Sequence, residues 1–190
     1  MYAELVADSP PPEDLLQRFE AAVSGMELDD LGKLATDISQ GSWPRYRPPQ
    51  RPHLRRSPRD ERAVYRVRVD LKGARPPIWR RLDLRSDLTL DVVHRVLQGA
   101  FGWWDYHLHR FALGGSPFDI HSELFLCPFD VEEGEDDGVA ASEVRLDETL
   151  QNPGDVLEYV YDYGDSWELK IKLEKVLAAG ADPPPAACID

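Results

Sequence analysis

The chain has 190 residues, 42% of them hydrophobic, and a net charge of −13. That length suits one domain with an appendage, and the acidic balance argues against generic nucleic-acid binding, which needs cationic surface. No apolar run approaches the length of a membrane span, and Met1-Tyr2-Ala3-Glu4-Leu5 lacks the basic and apolar regions of a signal peptide, so the chain reads as cytoplasmic with no membrane contact.

Two helical patterns come first. Pro11-Pro12-Glu13-Asp14 opens a helix with acids in its first turn, and Leu15, Leu16, Phe19, Ala22 and Val23 then share a face. Gly25 ends it. Leu28, Leu31, Leu34, Ala35 and Ile38 form a second stripe, ended by Gly41. Residues 1–41 are therefore expected to form a helical hairpin, too small to bury a core alone. Residues 42–62 read as a linker: Trp43 to Asp60 holds five prolines and six arginines without apolar periodicity. A mobile tether is the expectation. Any nucleic-acid contact would run through the basic residues 45–62.

Regular structure is expected from residue 63. Val64, Arg66, Arg68 and Asp70 alternate with Tyr65, Val67, Val69 and Leu71, a strand with mixed periodicity. Lys72 to Pro77 is a turn, and Ile78, Arg80, Leu82 and Leu84 line a second strand with Trp79 on its opposite face. A helix follows, with Leu90, Val93, Val96, Leu97, Ala100 and Phe101 as its stripe, Thr89 as N-cap, a Leu88–Val93 staple and Gly102 as C-cap. His94 lies beside the stripe and reads as a half-buried helix residue, not a ligand.

His107 to Leu113 and Ser116 to Leu126 carry further strand character. Glu132 to Gly138 is an acidic, solvated loop, and Asn152-Pro153-Gly154-Asp155 is a turn. Val156 to Tyr163 and Trp167 to Leu177 are the last strands. Leu169, Ile171 and Leu173 alternate there with Lys170, Lys172 and Glu174, the pattern of a sheet wet on one face. Residues 178–190 form an Ala- and Pro-rich tail. Strand, turn, strand, helix is the opening of a β-grasp-like fold, so the class is α+β: a mixed sheet crossed by one main helix. The two cysteines, Cys127 and Cys188, form no CxxC pair and are expected to be free thiols.

Rare residues crowd two phrases, Phe101 to Phe111 and Tyr159 to Trp167. Those twenty positions hold three of the five tryptophans and four of the seven tyrosines. Exposed aromatic area is unfavourable, so the phrases are core, binding surface or both. Trp103, Trp104, Tyr106, Tyr161, Tyr163 and Trp167 are the surface candidates. Trp104 and Tyr106 are the anchors, because Trp103 and Trp104 cannot both point inward from one short segment. Side chains two apart on a strand share a face, which puts His107 and His109 together, with Asp162 and Asp165 as further oxygen donors. Those four residues are the candidate site for a divalent metal. The competing reading has the aspartates satisfying backbone donors around Gly164.

Pro77-Ile78-Trp79-Arg80-Arg81, the Phe101 phrase and Tyr161-Asp162-Tyr163-Gly164-Asp165-Ser166-Trp167 occur in this order. Over Val64 to Leu177 the chain resembles the plasmid pRiA4b ORF-3 family, also found among transposon-associated reading frames and accessory proteins. The resemblance implies an α+β domain at 63–177 and no known activity. Family members commonly carry a histidine where this chain has Leu169, which weakens the metal reading. They also often continue into a Cys-Pro-Pro-Glu-like segment, so a truncated chain is expected. No nucleophile elbow, P-loop, HExxH or GxGxxG is present, and no catalytic residue is assigned. The expected function is a non-enzymatic interaction module of a mobile element, with an unidentified protein partner and no required cofactor. The alternative is a metal-dependent hydrolase or nuclease accessory using His107, His109, Asp162 and Asp165.

Overall fold

The computed structural model describes Asp29, Lys33 and residues 50–134, 137–180 and 183–190. The chain divides into two compact units, Met1–Pro48 and Pro49–Asp190. Apart from Asp29 and Lys33, both helical, the expected hairpin lies outside the described residues.

The second unit is α+β, with one large mixed sheet and few helices. Strands β1 (Ala63–Leu71) and β2 (Ile78–Arg85) form an antiparallel hairpin that pairs Val67 with Leu82. Tyr65, Val67 and Val69 are fully buried, while Arg66, Arg68 and Asp70 point the other way. Arg66 binds Asp83 and Arg68 binds Asp70, so the outer face is a lattice of ion pairs. Trp79 lies on that face under the guanidinium groups of Arg68 and Arg81.

Helix α1 (Leu90–Phe101) buries Leu90, Val93 and Leu97 against the inner face. Thr89 caps it through its backbone carbonyl, which accepts from Val92 and Val93; its hydroxyl instead donates to Asp91. Gly102 ends α1 at φ 71°, a left-handed conformation that glycine adopts without a Cβ clash.

The remaining strands are β3 (His109–Leu113), β4 (Glu123–Leu126), β5 (Val139–Ala140), β6 (Val156–Tyr161), β7 (Trp167–Ala178) and β8 (Ala186–Cys188). Their order across the sheet is β5-β4-β3-β6-β7-β1-β2-β8, with every neighbouring pair antiparallel except β4 and β5. The long β1–β7 pairing joins the two halves and carries a bulge between Arg66 and Val67.

Three regions depart from the sequence expectation. The acidic loop begins as a helix, α2 (Pro128–Glu133). Proline at the first helical position is already set to helical φ, and Gly134 closes the helix in the left-handed region. The Ala/Pro-rich tail supplies β8, which pairs with Leu82–Leu84 of β2. A further short helix, α3 (Leu146–Thr149), follows a 3-10 turn at Ala141–Glu143. Together they bury Ala141, Val144, Leu146 and Leu150 in the main core.

From residue 50 the basic segment is laid along the domain instead of hanging free. Arg51 donates to the Asp119 carbonyl, Arg56 to Asp155 and Arg62 to Asp87. Glu123, buried on β4, accepts from the backbone N–H groups of Leu54 and Arg55, from the Arg55 guanidinium and from His53. Arginines and prolines lack apolar periodicity, but their partners lie up to about a hundred positions away, beyond any local reading of the sequence. Burial alone would raise the Glu123 carboxyl, yet these donors outweigh it and hold it below the ordinary glutamate value. A depressed carboxylate stabilises the fold above its unfolded value, about 4.3, and loses that contribution as pH falls through the lower folded value. Glu123→Gln should therefore cost ~1–3 kcal/mol near neutral pH in denaturant unfolding. The gap between variant and parent should close as pH falls below the ordinary glutamate value and through the lower folded one, where the carboxylate protonates.

Candidate functional site

A cleft of about 610 Å3 opens between α1 and α2, with His109 and Leu126 of the sheet at its base. Its wall on the α2 side is apolar, from Pro128, Phe129 and Val131. The opposite wall carries Asp91, His94 and Arg95, and Asp105 stands at the mouth. A groove of similar size, about 670 Å3, lies among Arg66, Arg81, Lys172 and Glu174 on the outer face. Arg66 and Arg81 are already paired there with Asp83 and Glu174, so that groove reads as an ion-pair surface.

The floor of the cleft is built from three elements. His94 projects from the middle of α1 and is buried. His109 opens β3, and its ring stacks on His94 with centroids 3.4 Å apart and planes within 5°. Tyr159 rises from β6, the strand next to β3. Its phenol oxygen lies 2.9 Å from His94 Nδ1 and accepts from Gln98 Nε2 at 3.2 Å. His94 Nε2 lies 2.7 Å from the Asp105 carboxylate. Gln98 Oε1 accepts the Asp105 backbone N–H at 3.0 Å, which closes a ring of four residues: Gln98, Tyr159, His94 and Asp105.

Asp105 has φ 55°, in the left-handed region that aspartate tolerates better than bulkier residues. Its backbone bond to Gln98 holds it there. Such conformations cluster where a side chain must be aimed at a site, and this one turns a carboxylate onto a buried imidazole.

Desolvation sets the charge of the floor. Burial lowers the His94 pKa below its ordinary value, against the pull of Asp105. Burial, then the neighbouring His94, pushes His109 down to about 3. Both rings are neutral at physiological pH, which removes the repulsion that would oppose stacking. Burial raises the Tyr159 phenol far above its ordinary value, so it remains a protonated hydroxyl.

The α2 wall is fixed by a second polar cluster. Arg110 on β3 donates to Asp130 of α2 at 3.0 Å and to the Tyr163 oxygen at 2.8 Å, and Tyr163 donates to Asp130. The guanidinium lies 4.6 Å from the Tyr163 ring centre. Burial raises the Tyr163 phenol, which keeps it a donor.

The four metal candidates read from sequence do not meet at one point. His107 Nδ1 lies 3.4 Å from Asp162; His107 is exposed and Asp162 half-buried. Asp165 is exposed, and its backbone N–H bonds to the Asp162 carboxylate, as does that of Gly164. His109 parts from His107 because β3 starts at His109, so strand alternation does not extend back to His107. Instead His109 joins His94 and Asp105. Among the described residues these three are the group whose histidine and carboxylate donor atoms lie within 4.8 Å of one another. His94 is more deeply placed than its position beside the stripe suggests. A signal for it was present: His94 and Gln98 sit one turn apart on the buried side of α1, where apolar residues are the rule.

The aromatic candidates divide. Trp103 is half-buried, stacked between Phe101 and Tyr161. Tyr161 is buried and its hydroxyl accepts from the Tyr106 backbone. Tyr163 serves the Arg110 cluster. Trp104 is 78% exposed and Tyr106 82% exposed, on either side of Asp105, and Trp167 is also exposed.

A family described as "Plasmid pRiA4b ORF-3-like protein" matches residues 63–190, two thirds of the chain. The chain belongs to the plasmid pRiA4b ORF-3-like family. The match covers every strand, both walls of the cleft and the tail strand β8. One relative is the uncharacterized protein y4hQ of Sinorhizobium fredii (strain NBRC 101917 / NGR234), 32% identical over 124 residues. That alignment covers 64% of this chain and 59% of y4hQ, so the chain spans less than two thirds of that relative's length. A similar solved structure is the protein of unknown function MM3350 from Methanosarcina mazei Go1. It is 29% identical with a TM-score of 0.58, over 68% of this chain and 69% of that one. The names of these two similar proteins state no activity.

The ring around Tyr159 gives a direct test of how the floor is held. Tyr159→Phe removes the hydroxyl shared by His94 and Gln98 and leaves both buried groups short of a partner. It should cost ~1–2 kcal/mol in denaturant unfolding while leaving the β-sheet circular dichroism unchanged.

Proposed function

We propose that this pRiA4b ORF-3-like domain is a recognition module. Its cleft receives an apolar side chain of a partner protein, with Trp104, Tyr106 and Phe129 closing around it. The observation that carries this reading is the pair of exposed aromatics, Trp104 and Tyr106, on either side in sequence of Asp105, which lines a cleft walled by Pro128, Phe129 and Val131. Large aromatics left in water beside a concave apolar wall are the usual composition of an interface anchor. Charge supports the nature of the partner. Asp91, Asp105 and Glu132 outnumber Arg95 around the cleft, in a chain of net charge −13. The favoured segment therefore carries lysine or arginine beside its apolar residue.

Several finer readings belong to the same proposal. The β1–β2 hairpin followed by α1 supports a β-grasp-like ancestry. The family description, which names a plasmid, supports a role linked to mobile elements. Two free cysteines, one buried and one exposed, suit the cytoplasm. The described residues contain no helix long and apolar enough to cross a membrane.

A hydrolytic function is the second reading, favoured by the 2.7 Å contact between His94 and Asp105 at the mouth of the cleft. It would use His94, Asp105 and His109 in place of the His107, His109, Asp162 and Asp165 set.

Probing the full chain against an arrayed peptide library distinguishes the two. Recognition predicts binders enriched in an apolar residue flanked by lysine or arginine. Their signal should fall at least about tenfold with Trp104→Ala or Tyr106→Ala, as expected for loss of an interface anchor worth ~1.4 kcal/mol or more. Binding without charge preference, or untouched by both substitutions, would overturn it.

A further inference from the structure

We propose that His94, His109 and Asp105 form a site for one divalent first-row transition ion, zinc or a chemical neighbour, at the base of the cleft. The site stands whether or not a partner segment occupies the space above it.

Three observations converge on it. The first is the donor set. Two imidazoles and one carboxylate present atoms within 4.8 Å of one another. Tetrahedral zinc with bonds of about 2.0–2.1 Å separates its ligand atoms by roughly 3.3 Å, and it lies in the plane of each imidazole, so one ring tilts out of the parallel His94–His109 stack to complete the site. Nitrogen-rich sets of this kind select zinc and its neighbours over magnesium or calcium, which prefer oxygen.

The second is His109. It is only 8% exposed, yet its ring nitrogens have no hydrogen-bond partner among the described residues; its contacts are ring stacking with His94 and Tyr159. Neither ring nitrogen is sealed from solvent, and the residue lines the cleft, so an ion entering there meets an unpaired donor.

The third is the support behind His94. Its Nδ1 faces the Tyr159 hydroxyl, which Gln98 also holds, so Nε2 is aimed at Asp105 and the cleft. Metal-binding histidines are typically oriented through the second ring nitrogen in this way. On metal binding at Nε2, the His94 proton resides on Nδ1 and is donated to Tyr159. Asp105, half in solvent, turns its carboxylate from the imidazole to the ion.

Three protein ligands leave a coordination position open to the cleft. That is the layout of sites that take up water or a donor atom from a ligand, in contrast to closed four-ligand structural sites.

The test is metal uptake by the full chain without a polyhistidine tag, using Zn2+ by calorimetry and Co2+ by its visible absorption. The expected result is one ion per chain, with no competition from Mg2+ or Ca2+. Tyr159→Phe should weaken binding by roughly 10–100-fold as an outer-shell change. Asp105→Asn and His109→Gln should weaken it further, and the exposed His121→Gln should have no effect. If His109→Gln fails to fold, Asp105→Asn, on a half-exposed residue, decides alone. Failure of the parent chain to take up a stoichiometric ion overturns the proposal. So does uptake that Asp105→Asn leaves unchanged, or uptake lost with Asp162→Asn but kept with Asp105→Asn. Peptide binding that persists in Asp105→Asn without metal separates this result from the recognition reading.

Discussion

A helix of twelve residues is ~18 Å long, and a sheet of eight strands is about 34 Å wide. One such helix cannot cover the inner face of this sheet, and the rest of the architecture follows from that shortfall. Apolar residues on β1, β6 and β7 pack beneath α1. The turn-and-helix segment Ala141–Thr149 extends the cover, zipped to the start of α1 through Leu90 to Val144 and Leu146 to Leu88. Helix α2 is a separate piece, pinned by Asp130 to Arg110, which alternates with the inward-facing His109 and Phe111. The cleft is the gap that α1 and α2 leave between them.

That gap explains why polar chemistry gathers at its floor. Residues there are too buried to stay charged and too close to solvent to be wholly apolar. The ring of Gln98, Tyr159, His94 and Asp105 satisfies this position by pairing each polar group with the next. It also ties a surface loop to the core. Asp105 lies between the exposed Trp104 and Tyr106, so the presentation of both aromatics depends on a bond made by a helix side chain beneath them. The recognition and metal proposals therefore share one mechanical element, while each rests on its own atoms.

The fold was largely legible because periodicity reports which face a residue occupies. The β1 alternation, the α1 stripe, the Gly102 cap and the family resemblance all reflect local constraints that act within a few residues. The site was less legible because its members come from α1, the following loop, β3 and β6, and only the sheet order brings them together. Strand alternation applied to His107 and His109 assumed a strand two residues longer than the one formed. The anchoring of Arg51, Arg55 and Arg56 was hidden for the same reason, since composition announces mobility whereas distant carboxylates decide it. The strand in the tail carries too few residues for a period to show.

The outermost strands are the shortest in the sheet: β5 with two residues and β8 with three. Open sheet edges offer unpaired backbone groups to other chains and are a common route to aggregation. Here β8 occupies the C-terminal half of the β2 edge, and the backbone of Ile189 and Asp190 continues the bonding at Arg81. On the other side a parallel stub of two residues caps β4. Among the described residues, the eight-stranded sheet thus presents short strands at both margins, one of the forms by which natural sheets limit edge-to-edge pairing.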